Sequence, residues 1–217
     1  MYKRQVNGDG FDDILIGAPG GDGLNETRPE SGETYLIYGG DFTGDVTQLG
    51  GIGDDLLIGT PAADVLIGGQ GDDTLIGNGG PDVLYGGAGN DVLAISDADF
   101  RRIDGGSGDD TLRLDGENFN LDFTTISRNR IRNIETLDLN GGNNSVIMDR
   151  LEVIGFSDRR NRLVVMGDQT NSLTVSGDWV AGGSTVFGED TYNVYTSGSA
   201  QLWVQEDISA ADVNLMG

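Results

Sequence analysis

The sequence contains no cysteine and no histidine. The first absence excludes disulfides and thiolate metal sites. The second removes Ser-His-Asp and Cys-His catalysis and the histidine-based zinc sites. Lysine occurs once, at Lys3, and no basic residue follows Arg162. Thirteen Lys and Arg stand against thirty-six Asp and Glu, a net charge of −23, which argues against nucleic acid and anionic membrane as partners. No apolar run is long enough to predict a membrane span. Residues 1–30 lack the apolar core of a signal peptide. Either the start is missing or export takes another route; Met1–Gln5 reads as foreign to the rest of the chain, and the native protein is expected to extend further upstream.

What is plentiful is glycine, with thirty-seven residues, and it falls in register with the acids. From Gly50 the chain reads in nines: GGIGDDLLI, GTPAADVLI, GGQGDDTLI, GNGGPDVLY, GGAGNDVLA. Asp55, Asp64, Asp73, Asp82 and Asp91 recur at one place in the nine, and Leu57, Leu66, Leu75, Leu84 and Leu93 follow them at another. A fixed short period marks a repeat architecture. Within each nine, the first six residues suit a tight turn whose positive φ angles glycine adopts without steric cost. The last three suit a short strand whose middle residue, the leucine, points inward. The turn aims carbonyl oxygens at one point and the aspartate adds a carboxylate there. Calcium, a hard cation, takes about six to eight such oxygens. One turn cannot supply them, but two stacked turns can, and in a two-sided roll alternate turns stack.

That stacking makes the repeats unequal. Turns 50–55, 68–73 and 86–91 share one edge and match the pattern fully, so calcium is expected between successive turns there. Turns 59–64 and 77–82 share the other edge, where Thr60, Pro61, Ala62, Asn78 and Pro81 interrupt the pattern and only weak binding is expected. A further full match, GGSGDD at 105–110, follows an insertion over 94–104. The candidate ligands on the full edge are Gly50, Gly51, Gly53 and Asp55; Gly68, Gly69, Gly71 and Asp73; Gly86, Gly87, Gly89 and Asp91; Gly105, Gly106, Gly108 and Asp110. Asp64 and Asp82 are the candidates on the interrupted edge. The competing account is that these aspartates merely close Asx turns in a calcium-free solenoid. In the insertion, Phe100 and Ile103 flank Arg101 and Arg102, which either reach the acidic edge or belong to a solvated loop, the plainer reading. The outward strand residues, among them Leu56, Ile58, Ile76 and Tyr85, are apolar for a solvent face, through β propensity or because something covers them.

These residues resemble the RTX (hemolysin-type) calcium-binding repeats. The resemblance implies a parallel β-roll holding several calcium ions and a protein that is extracellular or on a bacterial surface. The C-terminal region poor in basic residues resembles the uncleaved export signals read by type I secretion machinery. Upstream, in VNGDGFDDILIGAP (6–19), Asn7, Asp9 and Asp13 take places 3, 5 and 9 of a D-x-[DN]-x-D-G-x-x-D loop, and Phe11 would offer its carbonyl. An EF-hand would need a bidentate Glu where Ile16 stands. With the strand-like flanks ILIGAP and GETYLIYGG (32–40), this stretch resembles an FG-GAP repeat, the blade unit of integrin-type β-propellers. Gln5 stands where the first aspartate belongs, which weakens that site, and one blade cannot close a propeller. A plain hairpin with an acidic loop is the alternative.

Beyond Leu114 the glycine turns stop, but apolar strand centres continue at Leu137, Val146, Val153, Val164 and Leu173. A continued parallel solenoid is expected, turning at Asn140–Asn144, Asn161 and Asn171; antiparallel strands are the alternative. Ser184–Phe187, Thr191–Thr196 and Ala200–Val204 are expected to form an antiparallel cap bearing Trp179 and Trp203. The sequence thus predicts an all-β chain: a partial propeller blade (1–43), a calcium-bound parallel β-roll (44–116), and a β-solenoid with an antiparallel cap (117–217). The expected function is a calcium-binding structural and secretion module, not an enzyme, that folds on calcium after export. A second reading is an adhesin binding carbohydrate or a cell surface through Trp203, Tyr192 and Tyr195. A third is a fragment of a β-helical polysaccharide-modifying enzyme, against which the missing histidines stand.

Overall fold

Leucine at every ninth position gives a short strand one inward side chain and no more. Such strands can bury their leucines only by stacking coil on coil. The computed structural model, which describes residues 14–18, 33–37, 46–157, 161–208 and 213–216, shows this stacking. The chain divides into two units, 1–45 and 46–217. In the first, β1 (Ile14–Ala18) and β2 (Glu33–Ile37) pair antiparallel with Ile14 opposite Ile37, on the two flanks expected to be strands. Met1–Gln5 and the loop residues Asn7, Asp9, Phe11 and Asp13 lie outside the described residues.

The second unit opens as a two-sided roll. One side is formed by β3 (Gln48–Leu49), β5 (Val65–Gln70), β7 (Val83–Ala88) and β9 (Arg102–Ser107); the other by β4 (Leu56–Ile58), β6 (Thr74–Ile76), β8 (Val92–Ile95) and β10 (Thr111–Leu114). All pairs within it are parallel, with Leu57 beside Leu75 and Leu75 beside Leu93, Leu66 beside Leu84 and Leu84 beside Ile103. This is the register expected from stacking alternate turns. The five leucines and Ile103 are buried in one core. Full burial of such a side chain is worth about 1.5–3 kcal/mol, which sets the scale of what each rung contributes. Leu56, Ile58 and Tyr85 are exposed on the outside of the roll.

The insertion over 94–104 is solvated at Arg101 and Arg102, the plainer of the two expectations, but it is anchored in the core. Phe100 and Ile103 are buried, the Arg130 guanidinium lies 4.5 Å above the Phe100 ring, and Arg102 pairs with Asp104 at 2.7 Å. Between Ser96 and Ile103 only Phe100 and Ile103 enter the core, and the residues around them stay at the surface.

The coil then changes size. After β10 the chain adds β11 (Asn120–Asp122), two short 3-10 turns and β12 (Ile131–Arg132) before returning as β13 (Thr136–Asp138). Leu112 now pairs with Leu137, and Leu121 with Val146. Leu137, Val146, Val164 and Leu173 lie in strands as expected; what changes is that three-sided coils of 25 to 28 residues replace two-sided ones, as the pairing of Leu121 with Val146 and of Leu137 with Val165 shows. The strands remain parallel, through β14 (Ser145–Asp149), β15 (Arg162–Met166) and β16 (Ser172–Ser176). Val153, expected at a strand centre, lies instead in the helix α1 (Arg150–Phe156). A capping box starts that helix: the Asp149 carboxylate accepts from the Leu151 and Glu152 amides, and Glu152 accepts from the Asp149 amide.

The end of the solenoid is closed as expected. β17 (Val180–Phe187), β18 (Asp190–Ser197) and β19 (Ala200–Gln205) form an antiparallel meander, and β19 joins the long sheet beside β15 in parallel. β20 (Val213–Met216) pairs with β16. Tyr192 and Tyr195 are buried within the cap, and Arg162 lies 4.4 Å above the half-buried Trp203 ring. Packing, not display, accounts for these aromatics.

Candidate metal centre

Each of the four turns on the full edge opens with a glycine packed against its own aspartate and against the next coil. A methyl group built on Gly50, Gly68, Gly86 or Gly105 would come under 3.0 Å from the Oδ2 of Asp55, Asp73, Asp91 or Asp110 respectively. It would also come under 3.0 Å from a carbonyl oxygen of the following coil: Gly68, Gly86, Gly105 and, for the last, Asn133. Only glycine leaves this space to oxygens. At the second place, Gly69 and Gly87 have φ of 116° and 122° and lie against the carbonyls of Gly51 and Gly69, so both conformation and space exclude a side chain.

The aspartates form a ladder along this edge. Asp73 Oδ1 accepts the amide of Asp55 at 2.8 Å, Asp91 Oδ1 that of Asp73 at 2.8 Å, and Asp110 Oδ1 that of Asp91 at 2.8 Å. The second oxygens, Oδ2 of Asp73, Asp91 and Asp110, are buried without a hydrogen-bond partner. Buried carboxylate oxygens are costly unless paired. Burial, followed by the charges of Asp91, Glu135 and Asp109, pushes Asp110 up to about 7; burial and the charge of Asp73 raise Asp91 as well. The arrangement is a row of inward carboxylate oxygens beside main-chain carbonyls, and among the described residues none of Asp73, Asp91 and Asp110 forms an ion pair. These residues fit a hard cation. Among the described residues no three acidic side chains converge on one point, so main-chain carbonyls would make up most of any coordination shell.

The other edge differs in the expected direction. Asp82 Oδ1 accepts the Asp64 amide at 2.9 Å, so the ladder is present. Asp64 Oδ2 accepts the Thr60 amide at 2.6 Å, as Asp55 Oδ2 accepts the Gly51 amide at 2.7 Å, and it accepts the Thr60 hydroxyl at 2.9 Å in addition. Burial raises the Asp64 pKa, but these bonds outweigh it and hold the group below its ordinary value. At Gly77 the carbonyl of Ala94 stands 3.6 Å from a built methyl, farther than its counterparts on the full edge. Asp82, buried and near Asp64 and Asp97, is pushed up to about 6. Thr60 and Asn78 thus change the edge in physical terms: the threonine satisfies the carboxylate itself, and Asn78 takes the second place with φ of 64°.

The raised values carry a pH dependence. A carboxyl whose folded pKa exceeds its unfolded one stabilises the fold when protonated, at low pH, and that contribution is lost as pH rises toward the folded value. For Asp110 and Asp82 the window runs from the ordinary carboxylate range up to about 7 and about 6. In chelator, the roll should therefore keep more of its β signal in circular dichroism at pH 5 than at pH 8; an equal or smaller signal at pH 5 would contradict this.

Farther along, an amide does the work of the ladder. Asn144 is fully buried; its Oδ1 accepts the Phe119 amide at 2.8 Å and its Nδ2 donates to the carbonyls of Gly116, Leu139 and Gly141 at 2.8, 2.9 and 3.1 Å. Here the side chain fills the carbonyl cluster itself. Asn144→Ala should cost about 3 kcal/mol, the scale of several buried groups left unpaired, measured as a loss in urea stability that calcium does not restore.

Two residues that the nine-residue pattern did not point to, Asn133 and Glu135, meet the full edge. Glu135 Oε2 accepts the Asp110 amide at 2.9 Å. No glycine turn marks them, and the only sequence signal is an acid immediately before the next strand.

The family model of the RTX calcium-binding nonapeptide repeat matches in four copies, over residues 49–84, 67–94 and 102–118. The model of the FG-GAP repeat matches residues 6–37. The chain carries repeats of a calcium-binding family, arranged as an all-β solenoid, behind an FG-GAP repeat. Among solved structures, the AlgE6R3 subunit of the mannuronan C5-epimerase from Azotobacter vinelandii is similar at 20% identity, over 77% of this chain and 81% of that one, with a TM-score of 0.26. The extracellular lipase LipA from Serratia marcescens is similar at 16% identity, over 78% of this chain and 40% of that one, with a TM-score of 0.20. No curated protein matches the sequence. No helix among the described residues is long and apolar enough to cross a membrane.

Proposed function

We propose that this chain is a calcium-binding structural and export module of a larger extracellular or surface protein, not an enzyme. It would comprise a partial FG-GAP blade (1–43), an RTX roll (44–116) and a solenoid with its cap (117–217). The observation that carries this reading is the row of buried, unpartnered Oδ2 atoms of Asp73, Asp91 and Asp110, each beside a main-chain carbonyl of the neighbouring coil. Asp55, Asp73, Asp91 and Asp110 would supply carboxylates, and the glycines at places one, two and four of each turn would supply carbonyls. Asp64 and Asp82 would form at most a weak site. In the FG-GAP repeat, Asn7, Asp9, Phe11 and Asp13 would bind only weakly, because Gln5 replaces a charged ligand.

Bound calcium would supply positive charge to the acidic edge and a crosslink between coils. Residues 50–116 hold thirteen acids against three arginines, so their own charge opposes a compact state. The glycines add a large conformational entropy cost. A chain so composed stays unfolded where calcium is scarce, passes through type I secretion machinery in that state, and folds where calcium is plentiful, because binding free energy becomes folding free energy. Calorimetry tests the reading: several calcium ions should bind per chain, with magnesium failing to displace them. Absence of calcium uptake would end it.

A further inference from the structure

The row of carboxylates does not stop where the glycine-rich turns stop. Beyond the turn 105–110 the chain returns to the same edge by a corner of three residues, Asn133-Ile134-Glu135, between β12 and β13. The pairing of β12 with β9 sets Arg132 beside Asp104, which brings Asn133 next to Gly105. We infer that this corner closes one further calcium site, formed with Asp110, the Asn133 carbonyl and Glu135, one coil beyond the last repeat. The inference rests on the calcium reading proposed above.

Three observations meet at this point. First, the Asn133 carbonyl repeats the position that a first-place glycine carbonyl takes in each earlier step. It crowds a methyl built on Gly105 as Gly105 crowds one on Gly86 and Gly86 crowds one on Gly68. Second, Glu135 adds the next rung of the ladder, its Oε2 accepting the Asp110 amide as Asp110 accepts that of Asp91. Thr136 stands opposite Thr111, and the Thr136 amide donates to the Asp110 carbonyl at 2.9 Å, so Glu135 takes the rung next to Asp110. Third, Asp110 is fully buried and its Oδ2, directed at the same space beside Gly105, has no hydrogen-bond partner.

Glu135 is itself buried, and among the described residues neither it nor Asp110 forms an ion pair; the nearby Arg102 is engaged by Asp104. Asp104 also accepts from the Asn133 side-chain amide at 2.8 Å, which holds the corner and its carbonyl in place. The Asp110 Oδ2 and the Asn133 carbonyl therefore share the space beside Gly105, with the buried Glu135 carboxylate on the neighbouring rung and no ion pair to either acid among the described residues. A hard divalent ion resolves that arrangement in the same way as in the turns before it.

The test is calorimetric titration of calcium into the full chain and into Glu135→Gln, which keeps the size and a hydrogen-bonding oxygen but removes the charge. The variant should bind one ion fewer, or bind one ion about tenfold or more weakly, while the remaining sites keep their affinity. Identical stoichiometry and affinity in the two proteins would overturn the inference and leave the repeat sites standing. Absence of binding to the unaltered chain would instead overturn the calcium reading as a whole. A crystal structure of the unaltered protein with calcium decides the matter even if the variant does not fold. It should show an ion ligated by Asp110 Oδ2 and the Asn133 carbonyl at about 2.3–2.6 Å. Ions confined to the earlier turns would overturn the inference.

Discussion

Removal of calcium should convert residues 50–116 from stacked strands to a largely disordered chain, and millimolar calcium should restore them. In the calcium-free state the buried carboxylates of Asp73, Asp91 and Asp110 face each other's charge through a ladder whose rungs lie 2.8 Å from the next amide. Each Oδ2 among them gives up hydration without gaining a hydrogen bond. The hydrophobic term per coil is small, because β4, β5, β6 and β7 each bury a single leucine. The coils around Asn144 are built differently, with amide donors where the repeats have carboxylates, and should keep more of their structure. Circular dichroism should thus lose a large part of the β signal in chelator, and hydrogen exchange should place the loss in the roll. Magnesium should not reverse it, since it demands a small octahedral site at shorter distances. An unchanged spectrum in excess chelator would contradict the account.

The second large effect is the contrast between two aspartates in the same roll. Asp73 stands in the middle of the full edge, with turns above and below, and Asp73→Ala removes a carboxylate shared between two neighbouring steps. It also leaves the Asp55 amide without its acceptor. The calcium concentration needed for half-folding should rise about tenfold or more, or the transition should disappear. Asp82→Ala removes the acceptor of the Asp64 amide, a cost of about 1–3 kcal/mol, but takes away a group pushed up to about 6 on an edge where Thr60 already satisfies Asp64. Its calcium midpoint should move by no more than about threefold. Equal shifts in calcium dependence would mean that the edges are equivalent.

Much of this roll is legible in the sequence because one residue type does one job at each place of the nine. The inward leucines and the stacking of alternate turns follow from spacing alone, and the pairing of Leu57 with Leu75 and of Leu66 with Leu84 bears it out. The inequality of the edges is also legible, through the threonine and proline that interrupt one of them. What spacing does not reveal is where the coil changes length. The widening after β10 depends on how an irregular segment packs, and Phe100 enters the core without any repeat to announce it. Val153 falls on an apolar rhythm that fits a strand as well as a helix. The local chemistry of Asp149 and Glu152, which caps a helix start, decides the matter. Glu135 is hidden for a related reason, since a three-residue corner does the work of a six-residue turn with none of its glycines.

The most direct measurement is a calcium titration of the chelated full chain in which bound calcium and circular dichroism are followed in the same sample. The account predicts that several ions bind and that the β signal rises with the same midpoint and the same steepness, because the sites exist only when the coils are stacked. Calcium binding to an already folded chain with no change in the spectrum, or a folded spectrum that persists with no calcium bound at neutral pH, would contradict it.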